Sequence, residues 1–290
     1  VSGIPQDALF GVTRISTTFA DDAGINVKHG VGTAFWLTTK RGKLVLVTNR
    51  HNLDPSIRFP NNPELKTHSI EIALRSKLGD GPDRVLQPQT RFFKVDESKT
   101  RIFVLEKTDC GIVVPEYEES TVGFGDCTPF QESELADNEF FLTVLKTSDV
   151  TSFIGFAGKR KFFWDDERSE WWDQEWSLPI VRPAFTASYP GFEFHHKEIP
   201  FRDVVLVSGL SFSGSSGSPV ISHQKSIWTS LPKPTIGSFE PKLIGIMSGH
   251  WWGENSDEVP PMFRDYRQHS GISYFTRSTS ILCLIEQNEL

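Results

Sequence analysis

The stretch Ser213-Gly214-Ser215-Ser216-Gly217-Ser218-Pro219-Val220 sets a serine among small residues and runs straight into an apolar strand that opens with Pro219-Val220-Ile221. Glycines beside Ser216 let the backbone turn sharply and approach a second molecule closely, and they leave the hydroxyl exposed. A serine alone is a poor nucleophile near neutral pH. The stretch therefore demands a base elsewhere, and a group to orient that base.

Both lie upstream. In Leu44-Val45-Leu46-Val47-Thr48-Asn49-Arg50-His51 an apolar strand ends in a polar turn, with the histidine just past the strand end. A base there is fixed by a rigid element yet open to a cleft. In Lys107-Thr108-Asp109-Cys110-Gly111-Ile112-Val113-Val114 an aspartate precedes another apolar run. Such an aspartate can accept a hydrogen bond from imidazole and hold the tautomer that presents the other ring nitrogen to serine. Singly, each has a plainer reading: a flexible Gly-Ser loop, a turn histidine, a strand-entry aspartate. Order, spacing and flanking strands together favour a triad.

These segments, in the order His, Asp, Ser, resemble the chymotrypsin/trypsin-like serine proteases. The likeness is greatest to their bacterial, disulfide-free branch, which includes the high-temperature-requirement proteases and the trypsin-like peptidase domain group. Gly30-Val31-Gly32-Thr33-Ala34-Phe35 resembles the strand before the histidine hairpin, and Leu243-Ile244-Gly245-Ile246-Met247-Ser248-Gly249 the strand lining the specificity pocket. Phe153-Ile154-Gly155-Phe156 with Leu178-Pro179-Ile180-Val181-Arg182 resembles a hairpin of bacterial members. The likeness runs from about residue 10 to about residue 285.

The resemblance implies an all-β fold of two antiparallel six-stranded β-barrels followed by a C-terminal α-helix. Residues 1–130 would form the lobe carrying His51 and Asp109, and residues 131–290 the lobe carrying Ser216, with the helix at 278–288. It implies a serine endopeptidase acting on protein or peptide substrates through an acyl-enzyme. Ser216 would be the nucleophile, His51 the base and Asp109 its orienter, with the N–H groups of Gly214 and Ser216 forming the oxyanion hole. Leu210 would floor the specificity pocket, and Ser248, Gly249 and His250 would wall it. An apolar floor disfavours lysine or arginine before the scissile bond, because their charge would be stranded. Small or aliphatic residues are expected there, with an acidic preference through protonated His250 as the alternative. Digestive relatives carry an aspartate immediately before the serine, which pairs with a new N-terminal ammonium after cleavage. Here that position is Ser215, so the cleavage switch is expected to be missing.

Composition agrees with a globular β-protein. Of 290 residues 38% are hydrophobic and 23% charged, which excludes disorder. Phenylalanine is abundant at 23 and methionine scarce at 2, and aromatic-rich short apolar runs favour strands. The net charge of −7 argues against nucleic acid, whose phosphates select basic faces. Three cysteines, Cys110, Cys127 and Cys283, give no disulfide framework, which suits a reducing compartment. With no charged-then-apolar leader and no membrane-length apolar run, a cytoplasmic location is expected, a periplasmic one being the minority alternative. Cys110 reads as a core residue, not a second nucleophile.

Short strand-like runs recur along the chain, among them Phe140–Leu145, and point to sandwiches or barrels. Ser278 to Gln287 reads as a helix with Ser278 at its N-cap. Trp164, Trp171, Trp172 and Trp176 read as hairpin or loop rings packed on a barrel, or else as a partner surface. His195-His196 lacks companions at ligand spacing, so no metal and no cofactor are expected. No regulatory module is expected beyond the protease-like unit, and control by a separate protein partner in a stress or defence pathway is expected. A latent or binding-only barrel is the competing class. An esterase is disfavoured, since the strand-to-helix Gly-x-Ser-x-Gly elbow and its residue order are absent.

Overall fold

Alternation along one strand explains how the molecule is layered. Successive side chains leave a strand on opposite faces. Within Val27–Thr38, Ala34 and Trp36 join an apolar cluster with Ile15, Leu46, Ile70 and Ile72, while Phe35 and Leu37 face a second cluster with Val45, Val47 and Ile154. The second cluster also takes in Ile246, Ile281 and Leu284 from the far end of the sequence. This strand is therefore interior, with the N-terminal core on one side and a junction between two lobes on the other.

The computed structural model describes residues 6–78, 85–94, 100–115, 127–160, 168–170, 178–197, 199–223, 225–226, 237–238, 241–252 and 269–290. The N-terminal lobe is a curled sheet of β1 (Val12–Ala20), β2 (Val27–Thr38), β3 (Leu44–Thr48), β4 (Lys66–Leu78), β5 (Val85–Lys94), β6 (Thr100–Val104), β7 (Gly111–Pro115) and β8 (Phe130–Gln131). Its order is β5-β4-β1-β2-β3-β7-β6, with β8 parallel to β2. A helical turn, α1 (Pro55–Arg58), comes after β3.

The C-terminal lobe contains β9 (Val150–Gly155), a ribbon of β10 (Gly158–Arg160) and β11 (Arg168–Glu170), then β12 (Ile180–Thr186), β13 (Val204–Ser208) and β14 (Pro219–Ser222). A second ribbon of β15 (Lys225–Ser226) and β16 (Gly237–Ser238) precedes β17 (Leu243–Trp252), β18 (His269–Arg277) and the helix α2 (Ser278–Gln287). Strands β12-β13-β18-β17-β14-β9 close into a six-stranded barrel around Phe153, Val205, Val207, Val220, Met247 and Phe275. The double-barrel architecture expected from the sequence is thus present, with one refinement. Among the described residues the N-terminal sheet has eight strands, and its ladder ends at β5 and β6 instead of closing at six. The long β4–β5 hairpin, paired from Ser69↔Lys94 to Leu78↔Val85, carries that sheet outward. Pro88 suits its outer strand, because an edge strand has one side without a ladder.

Two local expectations change. Phe140–Val144 is a π-helical turn, not a strand: Leu145 N–H donates to the Phe140 carbonyl at 3.0 Å, and Asp137 Oδ1 accepts from Phe140 N–H at 2.9 Å. Short apolar runs do not reveal their own period, and the aspartate nucleates the turn. Arg277, not Ser278, occupies the N-cap of α2, because the Ser278 hydroxyl is drawn away to the Ala136 carbonyl at 2.6 Å.

The first turn of α2 is instead tied by its side chains to Asp203, which adopts a positive φ of 61°. Its carboxylate accepts from Thr279 Oγ1 at 2.7 Å and Ser280 Oγ at 2.6 Å, and it is ion-paired with Arg277. A carboxylate at a helix N-terminus also complements the backbone dipoles there. Asp203→Ala strands the buried Arg277 guanidinium, so it should lower stability by about 3–5 kcal/mol. A urea titration checks this, and a loss below about 1 kcal/mol would show that the pair is dispensable.

Candidate active site

Pairing of β3 with β7 brings two of the predicted residues together. Leu46↔Val113, Val47↔Ile112 and Thr48↔Gly111 are antiparallel partners, so the turn leaving β3 meets the segment entering β7. After Thr48 the chain enters a 3-10 turn at Arg50–Asn52 that carries His51; before Gly111 stands Asp109. His51 N–H donates to Asp109 Oδ1 at 3.0 Å, and the His51 ring Nδ1 lies 2.8 Å from Asp109 Oδ2. The Asp109 side chain is 0% exposed and that of His51 19%. A carboxylate that only accepts puts the ring proton on Nδ1 and leaves Nε2 with its lone pair. The buried Asn49 amide steadies this pair from behind, donating to the Asp109 carbonyl at 2.8 Å and to Ser248 Oγ at 3.1 Å.

The serine stretch folds into two successive tight turns. Ser215 N–H donates to the Phe212 carbonyl at 2.9 Å, and Ser218 N–H to the Ser215 carbonyl at 3.0 Å. The third residue of each turn is a glycine at positive φ, Gly214 at 89° and Gly217 at 94°, as a type II turn requires. The amides then alternate. Those of Ser215, Gly217 and Ser218 have carbonyl acceptors, whereas those of Gly214 and Ser216 have none among the described residues. Two unused donors flanking one serine hydroxyl are what an oxyanion needs.

The Ser216 hydroxyl donates to the Ser248 carbonyl at 3.5 Å, the outer limit of a hydrogen bond, and not to His51. Its own carbonyl is tied across the lobe junction, accepting from Thr33 N–H at 2.7 Å and from Asn52 Nδ2 at 3.2 Å. Thr33 Oγ1 also donates to the Gly214 carbonyl at 2.7 Å and accepts from Phe156 N–H at 3.0 Å. The N-terminal lobe thus holds the carbonyls of residues 214 and 216 while their amides stay open.

Beside Ser216 lies a recess lined by Ser211, Phe212, Ser213, Met247, Gly249, His250 and Tyr274. Of the residues expected to form the pocket, Gly249 and His250 line this recess. Leu210 does not: it is 50% exposed and does not line the recess, which corrects its role as floor. Gly209 N–H is held by the Gly271 carbonyl and Ser211 N–H by Ser273 Oγ, so Ser211 faces inward and residue 210 outward. Ser248 does not line the recess either: its hydroxyl is bound to Thr276 Oγ1 at 2.8 Å and accepts from Asn49, and its carbonyl meets the Ser216 hydroxyl. Burial, and after it the charge of Asp109, pushes the Tyr274 hydroxyl up to about 12. His250 Nδ1 lies 3.4 Å from Ser211 Oγ.

Beyond the residues expected from the sequence, the site draws on Asn49, Asn52, Phe212 and Tyr274. Asn49 and Asn52 flank His51 in sequence and could have been weighed; the others come together only through the fold. Cys110 is fully buried in the junction cluster, and burial above all raises its thiol, in keeping with a core role. Cys110, Cys127 and Cys283 form no disulfide. Ser215 is buried, and its Oγ accepts from Phe212 N–H at 3.2 Å. His195 lies between Arg202 and Glu193, and the His196 ring packs 4.2 Å from that of Trp251. Trp164, Trp171, Trp172 and Trp176 fall outside the described residues.

No family model and no curated protein matches the chain. Among solved structures it is similar to the Rv3671c protease from M. tuberculosis in its active form, at 11% identity over 96% of this chain and 81% of that one, with a TM-score of 0.46. It is also similar to the HtrA-type protease AlgW with a decapeptide, at 14% identity over 98% of this chain and 66% of that one, with a TM-score of 0.48. For Deg5 the values are 14%, 74%, 75% and 0.38. The strand pairing itself defines the fold described above.

Proposed function

We propose that this chain is a serine endopeptidase in which Ser216, His51 and Asp109 form the catalytic triad. The observation that carries this reading is the His51–Asp109 pair, whose turn is tied through Asn52 to the Ser216 carbonyl, together with the open amides of Gly214 and Ser216. In the proposed cycle His51 Nε2 takes the Ser216 proton as Oγ attacks the peptide carbonyl. Asp109 keeps the imidazole oriented and stabilises its charged form. The Gly214 and Ser216 amides receive the developing oxyanion. His51 returns the proton to the leaving amine, and the acyl-enzyme is then hydrolysed by water in the reverse sense. For this cycle the Ser216 hydroxyl must leave the Ser248 carbonyl and engage His51. Catalytic hydrogen bonds often tighten only when substrate is bound.

That starting position also favours a second reading, a latent enzyme whose serine is engaged by substrate or by a regulatory protein partner. Neutral Ser215 supports control without a buried N-terminal ammonium. Three cysteines without a disulfide support a cytoplasmic setting.

For the residue before the scissile bond we propose an uncharged side chain. Among the described residues the recess offers aromatic, thioether and hydroxyl groups but no carboxylate for lysine or arginine. An acidic residue held by protonated His250 is the alternative, and a cleavage profile dominated by arginine would reject both.

The test is labelling by a fluorophosphonate probe. Wild type should label at one site, and Ser216→Ala should not label at all. Labelling that survives the substitution would exclude Ser216 as nucleophile. N-terminal sequencing of fragments released from a lysate by wild type, and not by Ser216→Ala, would then identify the substrates. Wild-type protein that stays silent alone but labels after adding lysate would establish the latent form.

A further inference from the structure

We propose that Asn52 is a positioning residue that locks the Ser216 turn onto the histidine turn across the lobe junction, and that Arg58 sets which end of its amide faces the serine. This rests on the reading of Ser216 as nucleophile.

The residue after a base histidine has no chemical duty, yet Asn52 is almost wholly buried, at 2% exposure, and engages both lobes. Its Nδ2 donates to Thr48 Oγ1 at 3.0 Å and to the Ser216 carbonyl at 3.2 Å, and its Oδ1 accepts from Arg58 Nη1 at 3.3 Å. The three partners fix the orientation of the amide. A guanidinium can only donate and a carbonyl can only accept. Thr48 gives its proton to the Thr33 carbonyl at 2.7 Å, so toward Asn52 it accepts. Turning the amide over would set donor against donor at Arg58 and acceptor against acceptor at Ser216.

The consequence is geometric. His51 and Asn52 belong to one 3-10 turn, so any shift of that turn moves the base and the anchor of the serine together. Thr33 alone would hold Ser216 to β2; Asn52 adds a tie to the very turn that carries the imidazole. Base and nucleophile come from different lobes, and their separation is set through this side chain. A misplacement of about 1 Å between reacting groups can cost on the order of 100-fold in rate.

The experiment is hydrogen–deuterium exchange on the full chain, read at the amides of residues 212–218, beside the rate of fluorophosphonate acylation. Asn52→Asp keeps the size and the Arg58 partner but offers Ser216 only acceptor oxygens. Exchange over 212–218 should rise about tenfold or more while β2 and β3 stay protected. Acylation should slow by about 10- to 100-fold. Arg58→Met, which leaves the asparagine but frees its amide to turn over, should move both readouts in the same direction by less, and it decides the matter if Asn52→Asp does not fold. Unchanged exchange and acylation in a folded variant would overturn the proposal. So would faster exchange spread evenly through β2 and β3, which marks a merely structural role. Should wild type never be acylated, the serine-peptidase reading fails, while the exchange measurement still decides whether Asn52 holds the turn.

Discussion

Asp109→Asn should slow acylation of Ser216 by about 10,000-fold at neutral pH while leaving the fold intact. The carboxylate uses both oxygens, one on the His51 backbone amide and one on the ring Nδ1. Asparagine has a single acceptor oxygen. If that oxygen keeps the backbone N–H, the amide NH2 faces Nδ1, and two donors cannot share the space. The ring then moves its proton to Nε2, the nitrogen that must accept from serine. It becomes a donor where a base is needed. Asn49 still holds the residue 109 carbonyl at 2.8 Å, so the backbone has no cause to move. Stopped-flow acylation by a fluorophosphonate, with a thermal melt as control for folding, measures the effect. A loss smaller than about tenfold would show that Asp109 only supports the loop and does not set the tautomer.

Gly217→Ala carries the second large effect, on stability. At φ 94° an L-residue is strained, and an added Cβ would lie 1.7 Å from the Thr33 carbonyl and 2.5 Å from Thr48 Oγ1. Neither neighbour is free to retreat. Thr48 is bonded to that carbonyl, and Gly217 N–H is held by the Met247 carbonyl at 2.9 Å. Backbone strain of about 1–2 kcal/mol and overpacking of about 1–3 kcal/mol together predict a loss of about 2–5 kcal/mol. Gly42→Ala separates the two contributions, because Gly42 has a similar φ of 76° with open space around it. Urea titrations of both variants should show the larger loss at position 217. Equal losses would mean that the lobe junction yields to a methyl group, which the dense polar network argues against.

The functional reading and the positioning role of Asn52 share one physical basis. At the junction the N-terminal lobe satisfies the carbonyls of Gly214 and Ser216, while the amides of the same two residues have no acceptor among the described residues. Thr33, Thr48 and Asn52 are fully or almost fully buried polar residues, and buried polar groups are retained when they are hydrogen-bonded. For Thr33 and Asn52 the partners across the junction lie more than a hundred residues away in sequence, at Gly214, Ser216 and Phe156.

The sequence by itself determined what depends on local order. Small residues around Ser216, apolar runs ending at His51 and beginning after Asp109, and the apolar stripe of α2 identified the β class, the C-terminal helix and the candidate triad. Each of these is written within a few neighbouring positions, as turn chemistry or as period. Only the tertiary structure decided the rest. It put Leu210 on the surface, because anchors at Gly271 and Ser273 set which residue of that segment faces inward. It turned Phe140–Val144 into a π-helical turn, because Asp137 captures an amide. It made Asn52 a partner of Ser216, because two lobes meet there. Hydrogen bonds between residues far apart leave no periodic trace in a chain, so their geometry exists only once both lobes are folded.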